Sequence, residues 1–110
     1  MGLFVKGDIV VLNFPFSDFM GTKRRPALVL SELEGNDIIL CQITGRSKID
    51  KYTINIEDQD YLEGKLRVES SIRANKLFTA DKNLILYTAC KIEKSKVDEV
   101  VQRITDILNE

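Results

Sequence analysis

Histidine and tryptophan are missing from all 110 residues, and only two prolines and two cysteines are present. Without histidine there is no histidine acid–base pair, and the commonest catalytic metal ligand is gone as well. Cys41 and Cys90 each sit inside an apolar run, where a free thiol packs as a small hydrophobe. Two such residues make neither a disulfide framework nor a zinc site, so no metal and no cofactor is expected. No stretch reaches the ~18 apolar residues of a membrane helix, and residues 1–6 are too short and too polar for a secretory leader. The chain is therefore expected to stay in the cytoplasm with no membrane partner. Nor is there an excess of one charge. Sixteen basic and seventeen acidic side chains leave a net charge of −1, so overall charge will not steer a polyanion toward this molecule.

What is there reads as short strands. A chain of this length can bury one core and not two, and a single domain over residues 1–110 is expected. Val/Ile/Leu-rich segments at 8–14, 26–31, 37–44, 52–56, 66–70, 73–79 and 84–91 are separated by turn residues. That pattern predicts a mainly β antiparallel barrel or meander. Gln59–Gly64 reads as one short helical turn closed by glycine. The clearest helix is the last element, where Val97, Val100, Val101, Ile104, Ile107 and Leu108 follow helical spacing. Ser95 with Asp98 three residues later suits its start. The apolar stripe of this amphipathic helix either packs on the barrel or serves a partner.

The charges are segregated. Lys23, Arg24 and Arg25 form one basic cluster, and Arg46, Lys48 and Lys51 form another, with an acidic segment from Glu57 to Glu63 beyond them. Arg25 stands directly before Pro26, and proline pushes the residue before it into extended geometry. Its guanidinium is thereby fixed at a strand end, where a planar fork can match two phosphate oxygens. A solvated edge, protected against sheet pairing, would carry the same cations.

Glu34-Gly35-Asn36 is good turn chemistry between the second and third strands. A two-residue turn at Glu34-Gly35 puts Arg25 opposite Thr44. One at Gly35-Asn36 puts Arg25 opposite Arg46, with Thr44 diagonal to it. Either register leaves Arg25 and Thr44 on one sheet face, whereas a three-residue turn would separate them.

Gly7-Asp8-Ile9-Val10, Phe14-Pro15-Phe16, Arg25-Pro26-Ala27-Leu28-Val29-Leu30 and Cys41-Gln42-Ile43-Thr44 follow one another in a recognisable order. In this the chain resembles the MazF/PemK family of toxin–antitoxin ribonucleases over nearly its full length. The resemblance implies a small SH3-like antiparallel barrel with a C-terminal helix. It also implies a homodimer that cleaves single-stranded RNA without a metal and is silenced by a cognate antitoxin, typically acidic and partly disordered. By the same resemblance Arg25 and Thr44 are implicated in cleavage, which proceeds by attack of the ribose 2′-OH on the adjacent phosphate.

Guanidinium is a poor base because it stays protonated to pH ~12, so Arg25 suits stabilisation of phosphorane charge. Thr44 would hydrogen-bond a phosphate oxygen or the 2′-OH. Lys23, Arg24, Arg46 and Lys48 are candidates for RNA phosphates. Phe16 and Phe19 are candidates for base stacking or, alternatively, loop anchors. Arg73 would grip a further phosphate or serve as an ion-pair partner. Some family members carry an acidic residue three positions before the Arg of an Ile-Arg pair. Here that position is Ser70, with Glu69 on the other strand face, so no general base stands out. A related toxin branch shares the barrel yet poisons DNA gyrase without these residues. That function, or a degenerate SH3-like binding module, is the competing reading.

Overall fold

The computed structural model describes residues 4–14, 23–46 and 50–110. Among the described residues, seven strands form one antiparallel sheet: β1 (Asp8–Phe14), β2 (Lys23–Glu32), β3 (Asp37–Gly45), β4 (Thr53–Asn55), β5 (Tyr61–Glu63), β6 (Ser70–Asp81) and β7 (Ile85–Ile92). One helix, α1 (Lys94–Leu108), follows β7. The strand order is β4-β6-β3-β2-β1-β7-β5. β4 and β5 are the two ends of the sheet, so it is barrel-like and not closed.

Alternation along the central strands buries apolar side chains on both faces. Ile9, Leu28, Cys41, Ile43 and Ile72 pack on one side with Val97 and Val100 of α1. Val10, Leu12, Phe14, Ala27, Val29 and Leu40 pack on the other. The helix stripe is thus used internally, and these are called below the helix face and the open face.

Three local predictions are corrected. Residues 66–69 are not a strand; they cross as an irregular segment with Val68 and Arg67 exposed. Their place at the edge of the sheet is taken by Tyr61–Glu63, which pairs with Ile92 and Lys91 of β7. The helical turn is confined to Asp58–Asp60, held by the Glu57 N–H donating to the Asp60 carboxylate at 2.8 Å. Helix α1 is capped at Glu93, not Ser95. Its first turn is fixed instead by Lys96, whose ammonium reaches Asp60 at 3.1 Å and donates to the Asn55 carbonyl at 3.2 Å.

The β2–β3 hairpin departs from both two-residue turns. Leu33 N–H donates to the Asp37 carbonyl at 3.0 Å, which leaves Glu34, Gly35 and Asn36 as a three-residue loop. Gly35 supplies the left-handed residue with φ 73°. Near the loop the pairs are Glu32↔Ile38 and Ser31↔Ile39. A bulge at Leu30 then shifts the register by one residue, giving Val29↔Leu40, Leu28↔Cys41 and Ala27↔Gln42. The odd residue in the loop is cancelled by the odd residue in the strand.

Candidate functional site

Because of that cancellation, the register beyond the bulge leads Arg25 toward Thr44. Ala27 and Gln42 are paired, and two residues further along each strand lie Arg25 and Thr44, on the open face. Both are half-buried, so neither is sealed from solvent. Neighbouring pairs extend the row across the sheet. Leu12 of β1 faces Arg25, Thr44 faces Ser71 of β6, and Ser71 faces Asn55 of β4. Five strands therefore contribute to a row reading Leu12, Arg25, Thr44, Ser71 and Asn55.

Ser71 is only 1% exposed, and its hydroxyl donates to Asn55 Oδ1 at 2.7 Å. Arg73, two residues on and paired with Thr53, lies on the same face. Its guanidinium meets Asp50 at 3.6 Å. The Thr53 hydroxyl donates to Asp50 at 2.8 Å. This bond, with the Tyr52 N–H and the Arg73 charge, holds the Asp50 carboxyl below the usual carboxylate range. A carboxylate stabilised in this way is a weak proton acceptor. Ser70, at the position where some relatives carry an acid, is turned the other way; it is buried and donates to the Val68 carbonyl at 2.9 Å.

The other cations separate. Arg46 Nη2 donates to the Ile56 carbonyl at 2.8 Å, and the guanidinium reaches Glu57 and Glu69 at 3.5 Å each. It ties the end of β3 to the two irregular segments, a structural task. Lys23, paired with Phe14, has the parity of Arg25 and is exposed. Arg24, paired with Asn13, points to the helix face. The cluster that is contiguous in sequence is thus divided between the two sides of the sheet. Phe16, Phe19 and Lys48 lie outside the described residues.

Below the row, the open face holds a concavity of about 660 Å³ lined by Leu12, Phe14, Gln42, Lys76, Leu77 and Phe78, among others. Phe14 and Phe78 meet edge to face with ring centroids 4.9 Å apart. Among the described residues, no group of three His, Cys, Asp or Glu side chains is placed to hold a metal ion.

Ser71, Asn55, Thr53 and Gln42 were not singled out by the sequence. Of these only Ser71 lies at a place the sequence had marked, beside Ser70 and before the Ile72-Arg73 pair, and a one-residue choice of parity decides which serine faces the row.

A family model described as PemK-like, MazF-like toxin of type II toxin–antitoxin system matches residues 5–108. None of the curated proteins compared with the chain matches it. Solved structures do. An endoribonuclease from Mycobacterial species superposes with a TM-score of 0.74 at 12% identity, covering 99% of this chain and 94% of that one. A mycobacterial endoribonuclease in complex with its cognate antitoxin gives 0.72 at 11% identity, covering 96% and 94%. A MazE–MazF structure from Deinococcus radiodurans gives 0.74 at 23% identity, covering 94% of each chain.

Proposed function

Because the chain belongs to the PemK-like, MazF-like toxins of type II toxin–antitoxin systems, we propose that it is an endoribonuclease acting on single-stranded mRNA in the cytoplasm. The observation that carries this reading is the register that sets Arg25 and Thr44 on one face at one rim of the sheet. The scissile phosphate would lodge there. The 2′-oxygen forms a bond to phosphorus as the bond to the 5′-oxygen breaks, leaving a 2′,3′-cyclic phosphate and a free 5′-hydroxyl. Arg25 stabilises the negative charge that builds on the phosphorane oxygens. Thr44 donates to one of those oxygens, and its own position is set by the strand pair with Ser71. Water takes the 2′ proton and water returns one to the leaving 5′-oxygen, since the Asp50 carboxylate, stabilised by Thr53, Tyr52 and Arg73, is too weak a base for the task. Arg73 is compensated by Asp50, so Lys23 provides the further phosphate contact at the rim.

The active form is a homodimer. The exposed Leu77 and Leu84, beside the concavity on the open face, favour a second copy over solvent there. A cognate antitoxin, such as the one in the mycobacterial complex, would silence the chain by covering the Arg25 rim, and an acidic one would match the charge there.

Incubation of the purified chain with a long single-stranded RNA in EDTA tests the reading. Discrete cuts with cyclic phosphate ends are expected. Arg25→Ala should lose about 100-fold or more in rate, the usual scale for one preorganised donor, and Thr44→Ala about tenfold. Intact RNA would overturn the proposal. Intact RNA with inhibited DNA supercoiling would favour the gyrase-directed branch.

A further inference from the structure

The helix face carries a second concavity that the reaction does not use. Its floor is a cross-strand row made by Tyr87 of β7, Val11 of β1 and Pro26 of β2, which are paired in that order. Arg24 lies two residues from Pro26 on the same face. The irregular segment after Gly64 forms the opposite wall with Lys65, Leu66 and Arg67. The space measures about 480 Å³. Three cations from two separate parts of the chain thus line one groove, and Tyr87 is 52% exposed beside them. Lys65 is already paired with Asp58 at 3.1 Å, so Arg24 and Arg67 carry the groove's uncompensated potential.

We infer that this groove binds RNA nucleotides flanking the cleavage point, with Arg67 and Arg24 on phosphates and a base stacked on Tyr87. The inference rests on the ribonuclease reading above and extends it to the reverse side of the sheet. An exposed ring in a groove lined by cations is the platform that single-stranded nucleic acid uses without regard to sequence. An acidic peptide would need the cations only and would leave that ring without a role. Arg24 and Arg25 are consecutive on an extended strand, so their side chains depart to opposite faces of the same strand end. A strand of RNA held by both must turn over the rim of the sheet.

The test uses 2′-O-methyl RNA, which lacks the attacking hydroxyl and is not cut. Binding of a hexanucleotide and of a threefold longer oligomer is followed by fluorescence anisotropy over a salt series. For the longer oligomer, Arg67→Ala combined with Tyr87→Ala should weaken binding about tenfold or more. The slope of log affinity against log salt should become shallower by about 0.7 for the lost phosphate contact. The hexanucleotide should be affected less. Arg67→Glu should weaken binding further than Arg67→Ala, and circular dichroism establishes that each variant is folded. Unchanged affinity of the longer oligomer in these variants overturns the inference. So does loss of binding to a polyglutamate peptide with RNA affinity intact, which would make the groove a docking site for an acidic protein. Arg67-dependent binding by a chain that cuts no RNA would sink the nuclease reading alone; normal cutting with Arg67-independent binding would sink the groove alone.

Discussion

Arg25 and Arg46 show how little a residue's type says about its task. Both are arginines beside the same rim; Arg25 stands half-buried on the open face, and Arg46 reaches Glu57, Glu69 and a carbonyl. A substitution separates the two roles. Arg25→Lys keeps the charge and removes the bidentate fork, so cleavage should fall about tenfold or more while the melting temperature holds. Arg46→Ala should do the reverse, with lowered stability measured by urea titration and a smaller effect on the rate of a saturated reaction. Equal effects of both on cleavage would contradict the assignment. The placement of Arg25 was legible because a proline restricts its backbone and a family motif surrounds it. The role of Arg46 was not, because its carboxylate partners lie 11 and 23 positions further along the chain. Ser71 and Asn55 were hidden for the same reason. Asn55 belongs to no motif and Ser71 is an unmarked member of one, so only pairing across strands brings them into the row.

Elements follow the same logic. The central strands were readable as unbroken apolar runs, which is what a strand buried on both faces writes. The segment 66–69 imitated a strand because Leu66 and Val68 alternate with charged residues. In the structure Leu66 packs on the core while Val68 stays in water. What sets that path is Gly64, with φ 67°. A Cβ there would meet the Ala89 carbonyl and Cys90 Cβ, each at 3.3 Å. Gly35, also left-handed, has nothing within 4 Å. Gly64→Ala should therefore cost about 2 kcal/mol or more, adding crowding to the left-handed penalty, and Gly35→Ala about 1 kcal/mol. Urea midpoints check the ranking. Amide exchange should quicken at Tyr61–Glu63 in the Gly64 variant, and an equal cost at both sites would refute the argument. The start of α1 was misplaced because a serine and an aspartate at capping distance are a local signal. The observed start is fixed by a tertiary ion pair between Lys96 and Asp60, which no local window contains.

At the scale of the whole molecule, the groups with raised pKa values make stability fall on the alkaline side. Burial pushes the Cys41 thiol up to about 12 and the Cys90 thiol up to about 11. The Lys91 ammonium is raised by its hydrogen bond to Asp8 at 2.7 Å. Each holds its proton to higher pH in the folded chain than in the unfolded one. Stability is thus full below the ordinary thiol pKa of 9.0 and is lost as pH climbs through the folded values. The loss is about 1.4 kcal/mol per pH unit for each thiol within its window. Urea midpoints between pH 8 and 11 should fall accordingly, and Cys41→Ala should flatten the curve; a flat curve in the parent chain would count against both burials. Association belongs to this scale too. Leu77→Glu with Leu84→Glu should convert a dimer to a monomer in sedimentation, and an unchanged mass would place the interface elsewhere. The hairpin that joins β2 to β3 carries one more consequence. Loop length and strand irregularity there form a matched pair, so an insertion or deletion of a single residue at either place cannot be neutral. A shortened loop would be tolerated only alongside excision of Leu30, and homologues that differ in one should differ in the other.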